Sequence, residues 1–169
     1  NDKGEIEWMG LTKGKHTLTE FKTLDGYALD MHPIEFEVLR DGSISGVDPV
    51  ITFSNKVNPF ELKIVKKNNM HQLLDGAVFG LFKDSECKEK IDEKTTVDGV
   101  VSFADLKNGE TYYLKEIKAP GGYQKIDRVY CIKTDFIPVK GQYDVYMDQE
   151  KVDGLYADGS VNLEFVNER

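Results

Sequence analysis

The chain has 169 residues, 22 Lys and Arg against 30 Asp and Glu, a formal charge of −8 and 40 % hydrophobic residues, enough for one large or two small domains. No apolar run approaches the roughly 18 residues of a bilayer span, and no basic stretch leads into an apolar one at the start, so a soluble segment without membrane insertion is expected, its export signal absent or removed. The acidic balance, with no clustered Lys/Arg stripe, lacks the electrostatic footprint that nucleic-acid or anionic-membrane binding needs.

In chain order, the elements read as strands throughout. Ile34 to Val38 and Val50 to Phe53 are β-branched or aromatic segments in the first third. Asn58-Pro59 is a natural joint, because proline cannot continue a central strand ladder. Strands are then expected at Phe60 to Lys66, Ala77 to Phe82, Tyr112 to Glu116, Arg128 to Lys133 and Val161 to Phe165. Turn pairs such as Asp25-Gly26, Asp41-Gly42, Asp75-Gly76, Asp98-Gly99, Asn108-Gly109 and Asp153-Gly154 punctuate them. Many short strands set off in this way predict an all-β sandwich or barrel.

The chain also repeats itself. Gly4, Trp8, Leu11, Gly14, Leu18-Thr19-Glu20-Phe21-Lys22 and Gly26-Tyr27 recur as Gly99, Phe103, Leu106, Gly109, Leu114-Lys115-Glu116-Ile117-Lys118 and Gly122-Tyr123. The two copies end alike, on Ile51-Thr52-Phe53-Ser54-Asn55 and Leu163-Glu164-Phe165-Val166-Asn167. Two tandem units of one fold are expected, residues 1–58 and 59–169. The second opens with two strands that the first lacks, so the first reads as the C-terminal part of an N-terminally truncated domain, or as one whose missing strands come from another segment.

In a strand, residues two apart share a face, so an ionisable residue on an apolar row is a buried charge unless it is paired. The row Phe60, Leu62, Ile64 runs on to Lys66; Tyr112, Leu114 to Glu116; Leu163, Phe165 to Asn167. The first unit repeats two of these, Leu18 leading to Glu20 and Ile51, Phe53 to Asn55. Each polar residue taken alone fits a strand end meeting solvent. Together, a Lys, a Glu and an Asn at the inner ends of three strands form either a hydrogen-bonded cluster or a reactive set. Desolvation favours the neutral forms of amine and carboxyl. A neutral amine is a nucleophile, a carboxamide carbon an acceptor, and a protonated carboxyl beside them a proton relay. The product would be a Lys–Asn isopeptide bond, with ammonia lost.

The stretches Leu74-Asp75-Gly76-Ala77-Val78-Phe79 and Tyr113-Leu114-Lys115-Glu116-Ile117-Lys118-Ala119-Pro120-Gly121-Gly122-Tyr123 resemble the CnaB-type, SpaA-like pilin domain, whose glutamate box the second stretch matches. The first copy departs from the box at Thr23-Leu24, where Ala-Pro is usual. The resemblance implies tandem Ig-like sandwiches of the reverse-immunoglobulin, prealbumin-like kind, from the stalk of a Gram-positive surface adhesin or sortase-assembled pilus. It implies an extracellular, cell-wall-anchored protein with neighbouring domains or pilin subunits as partners. It also implies Lys66 as nucleophile, Glu116 as catalytic carboxyl and Asn167 as acceptor. Lys63 and Lys67 lie on the opposite strand face and would serve only if a bulge shifted the register. Glu20 and Asn55 are the equivalent positions in the first unit, whose lysine partner the chain does not contain.

Two other readings compete. A module that binds a host protein or glycan would use the insert of the second unit, with Tyr143, Tyr146, Met147 and Tyr156 as a contact surface or as a local sheet extension. A split domain would bond covalently to a lysine strand from another chain. A turnover enzyme lacks support, with no nucleophile elbow, phosphate loop or paired histidine ligands. Neither a cofactor nor a metal is expected: His16, His32 and His71 have no ligand spacing, and in Asp153 to Asp158 the residues Leu155 and Ala157 fall where a calcium loop needs oxygen ligands. Cys87 and Cys131 are either two buried thiols or, as an exported protein would favour, one disulfide.

Overall fold

A computed structural model describes residues 4–24, 26–137, 142–152 and 159–169. The Asp25 end of the first turn pair, the Asp153-Gly154 turn, Tyr156 and Asp158 lie outside them. The described residues are all-β, with no helix long and apolar enough to cross a membrane. The chain divides into two compact units, one of residues 1–23 with 29–55 and the other of residues 24–28 with 56–169.

The first unit carries β1 (Gly14–Leu18), β2 (Ile34–Val38) and β3 (Ile44–Ser45) in one antiparallel sheet, order β1-β2-β3. Its period-2 pattern holds, Leu18, Ile34 and Phe36 turning inward while Lys15, Glu35 and Glu37 face out. Expected strand Val50 to Phe53 does not form, and Val50 is largely exposed. The second unit indicates why: its corresponding last strand is laddered to a strand for which the first unit has no counterpart among the described residues.

In the second unit follow β4 (Pro59–Asn68), β5 (Val78–Phe82), β6 (Lys90–Thr95), β7 (Val100–Lys107), β8 (Thr111–Lys118), β9 (Val129–Ile137), β10 (Gln142–Met147), β11 (Glu150–Lys151) and β12 (Ser160–Asn167). They build a six-stranded sheet, β11-β10-β9-β8-β5-β6, and a three-stranded one, β12-β4-β7. Phe60, Leu62, Ile64, Phe103, Leu163 and Phe165 of the smaller sheet pack on Phe79, Leu81, Leu114, Ile132 and Val145 of the larger. Alternation sets this core. In β4 residues 60, 62, 64, 66 and 68 are buried while their neighbours are half-exposed. Burying some ten such side chains at about 1.5–3 kcal/mol each is the main favourable term.

The insert of the second unit extends the sheet. Tyr143 of β10 is buried and Met147 packs against the core, so neither is a free contact surface, while Tyr146 is half-exposed and Tyr156 lies outside the described residues. The expected disulfide is absent: Cys87 and Cys131 are free, half-buried thiols. Cys131 lies on β9, with β8 between it and β5, the strand leading into the turn of Cys87. Two strand steps of about 4.8 Å exceed the roughly 7 Å between Cα atoms that a disulfide spans, so the turn would have to fold across β8.

Candidate functional site

The first and last strands of the second unit lie side by side and parallel. Register pairs Lys66 with Phe165 and Asn68 with Asn167, which makes Lys66 and Asn167 diagonal neighbours on the inner face of one sheet. Glu116 faces them from β8 of the other sheet, two residues beyond Leu114 on the same buried row. Three strands and a parity of two thus bring the three predicted residues to one point. Their relative exposures are 0 % for Lys66, 1 % for Glu116 and 1 % for Asn167, so water is excluded from the cluster.

Glu116 is its hub. Its Oε1 lies 3.1 Å from Lys66 Nζ. Asn167 Nδ2 donates to both carboxyl oxygens, at 3.1 and 3.2 Å. The backbone N–H of Ile126 donates to Oε2 at 2.7 Å. Lys66 Nζ makes no well-aligned hydrogen bond, and Asn167 Oδ1 is buried without a partner. The rings of Phe79 and Phe165 lie 5.6 and 6.0 Å from the amine and supply its apolar walls. Burial pushes the Lys66 ammonium below its ordinary value, while the charge of the Glu116 carboxylate beside it pulls the other way. An unpaired buried carbonyl and a desolvated amine are costly in a core that serves packing alone.

The other two lysines of β4 point away. Lys63 pairs with Glu61 at 3.5 Å and Lys67 with Glu164 at 2.5 Å on the outer face. In the first unit the equivalent positions meet in the same manner. Asn55 Nδ2 donates to Glu20 Oε1 at 2.8 Å, and the N–H of Asp30, ten residues past the carboxyl as Ile126 is, donates to Oε2 at 3.0 Å. Thr23, where the second unit has Ala119, accepts a further hydrogen bond from Asn55 Nδ2 at 2.8 Å. Asn55 Oδ1 is buried without a partner, as Asn167 Oδ1 is.

A family model described as the SpaA prealbumin-like fold domain matches residues 1–49 and 60–151. The chain belongs to this family. The architecture agrees in fold with several solved structures. The C-terminal fragment of the pilus adhesin SpaC from Lactobacillus rhamnosus GG is 21 % identical at a TM-score of 0.54, over 93 % of this chain and 77 % of that one. The Bacillus anthracis TIE protein is 21 % identical at a TM-score of 0.58, over 98 % of this chain and 26 % of that one. The open conformation of SpaC is 22 % identical at 0.50, and the chain spans 25 % of its length. No curated protein matches. The structure brings Lys66, Glu116 and Asn167 together as the sequence placed them; it adds Asn68, one step of two beyond Lys66 on the buried row of β4, and two loop contacts that no strand periodicity encodes, the Ile126 amide on Glu116 and the Thr23 hydroxyl on Asn55.

Proposed function

We propose that this chain is a structural module of a Gram-positive surface pilus or adhesin, its second unit locked by an intramolecular Lys66–Asn167 amide. The observation that carries the reading is the buried contact of one carboxyl with both the amine and the carboxamide. As neutral amine, Lys66 Nζ attacks Asn167 Cγ. The Cγ–Nδ2 bond breaks, and Nδ2 leaves as ammonia with a proton that Glu116 takes from the amine and hands on. Glu116 touches donor and leaving group at once, so no other proton carrier is needed. The chemistry is a single self-reaction, without turnover, cofactor or metal. The protein works outside the cell, anchored to the wall, with neighbouring domains or pilin subunits as partners.

Intact mass tests this. The full chain is expected to be lighter than its sequence by one ammonia, and Glu116→Ala to have its full calculated mass. A full-mass wild-type protein, or a light Glu116→Ala protein, would overturn the scheme. Tandem mass spectrometry then places the branch at Lys66 and Asn167.

One observation favours a second role for the first unit, as a split domain: the Glu20–Asn55 pair reproduces the acceptor half of the cluster with no amine beside it among the described residues. Incubation with a peptide of sequence 59–68 would give a denaturant-resistant adduct at Asn55 if that half is reactive. Lack of an adduct would leave Thr23, Glu20 and Asn55 as a hydrogen-bonded tie.

A further inference from the structure

Between β8 and β9, residues 119–128 cross over the end of β12 at the reactive cluster. A turn closed by the Tyr123 N–H on Pro120 O at 3.1 Å, with Gly122 at φ 84°, aims two side chains at the two strands that carry the reactants. Tyr123 Oη accepts from Asn68 Nδ2 at 3.3 Å, and Asn68 is the ladder partner of Asn167. The Gln124 N–H donates to Glu168 O at 2.8 Å, and Gln124 Nε2 to Arg169 O at 3.2 Å. The Arg169 guanidinium lies 5.7 Å over the Tyr123 ring. Two residues further along, the Ile126 N–H holds the Glu116 carboxyl. One segment therefore grips the backbone on the far side of Asn167, the strand opposite it and the carboxyl that must act on it.

The grip answers a mechanical problem. Among the described residues β12 is an edge strand with β4 as its one ladder neighbour, and Asn167 is its last residue. Strand ends fray, and an acceptor that swings away by an ångström loses most of the advantage of a pre-set geometry. Asn68 is itself fixed, its Oδ1 accepting from the N–H groups of Met70 and Gln72, both at 2.9 Å, so Tyr123 bonds to a rigid post.

We propose that the β8–β9 strap is a positioning device for the crosslinking reaction, with Tyr123 and Gln124 as positioning residues that hold the end of β12 so that the Asn167 carboxamide stays on Glu116. The inference rests on the Lys66–Asn167 reading and extends it to residues that touch no reacting atom.

The test is a time course of ammonia loss by intact mass on the full chain made by cell-free synthesis. Tyr123→Phe keeps the ring beneath Arg169 and removes only the hydroxyl; its expected rate is about five-fold lower, the effect of one modest hydrogen bond. Tyr123→Phe with Gln124→Ala is expected to be slower than either single change, and every variant to reach the wild-type final extent. The same changes in an Asn167→Ala background, which cannot crosslink, report their effect on folding alone and are expected to leave the urea midpoint nearly unchanged. Unaltered rates in a chain that does crosslink would overturn the strap's role alone. So would slowing that merely tracks a lost folded fraction in the Asn167→Ala background. A wild-type chain that never loses ammonia would overturn the crosslink and the strap's role with it.

Discussion

Lys66 is held where an ammonium is poorly solvated, and its titration therefore reports on folding. The displacement is downward, caused first by burial and opposed by Glu116. Between that lowered value and the ordinary lysine value of about 10.4, the unfolded chain binds a proton that the folded chain does not. Stability therefore rises with pH through this window, and the full penalty is present below it. In Asn167→Ala, where the amine stays free, the urea midpoint is expected to climb as the pH rises through this window toward the ordinary lysine value. Adding Lys66→Met should remove that part of the slope, and equal slopes in the two proteins would contradict a desolvated amine. The three side chains of the cluster were legible because a strand has a side-chain period of two, and a charged residue continuing an apolar row has nowhere to point but inward. What the sequence could not convey is that β12 and β4 run parallel, since adjacency of first and last strands is decided by packing of the whole sandwich.

At the scale of the element, the ends of strands decide the site more than their middles. Gly99 precedes β7 at φ 72°, accepts the Lys66 N–H at 2.7 Å through its carbonyl, and donates to Asp75 Oδ1, also at 2.7 Å. A Cβ at this position would meet the Leu73 Cβ at 2.6 Å. Gly99→Ala combines left-handed strain with a clash, and a loss of about 1–3 kcal/mol is expected in the Asn167→Ala background by urea denaturation. A change below a few tenths of a kcal/mol would mean that the turn relaxes freely. β6 escaped the sequence reading for a related reason. Lys90, Asp92, Glu93 and Lys94 give it no apolar row, because it is an edge strand whose charges discourage pairing with another chain. The Val50 to Phe53 segment shows the converse, strand-forming residues that stay irregular without a neighbour to complete their hydrogen bonds.

For the molecule as a whole, the two units differ in how much holds them. Among the described residues the buried hydrophobic side chains fall almost entirely after Phe60, and the first unit contributes Val38 alone. Joining Lys66 to Asn167 would also close a loop of about 100 residues, for which the chain-entropy treatment gives roughly 4.7 kcal/mol if it applies to an amide as to a disulfide. That is of the order of a small domain's whole stability, so a bridged second unit is expected to open far more rarely than the first. Limited trypsin digestion separates the cases, since cleavage of transiently open segments follows their open population. Early cuts are expected at Lys22 and Arg40, both exposed, with residues 59–169 surviving as one covalently closed piece through an incubation that removes the first unit. Glu116→Ala should shorten that survival by at least an order of magnitude, because the entropy of the long loop is then returned to the unfolded state. Equal lifetimes for the two proteins would show that the core, rather than the bridge, governs resistance. Earlier cleavage within 59–169 than at Lys22 or Arg40 would reverse the assigned order of stability.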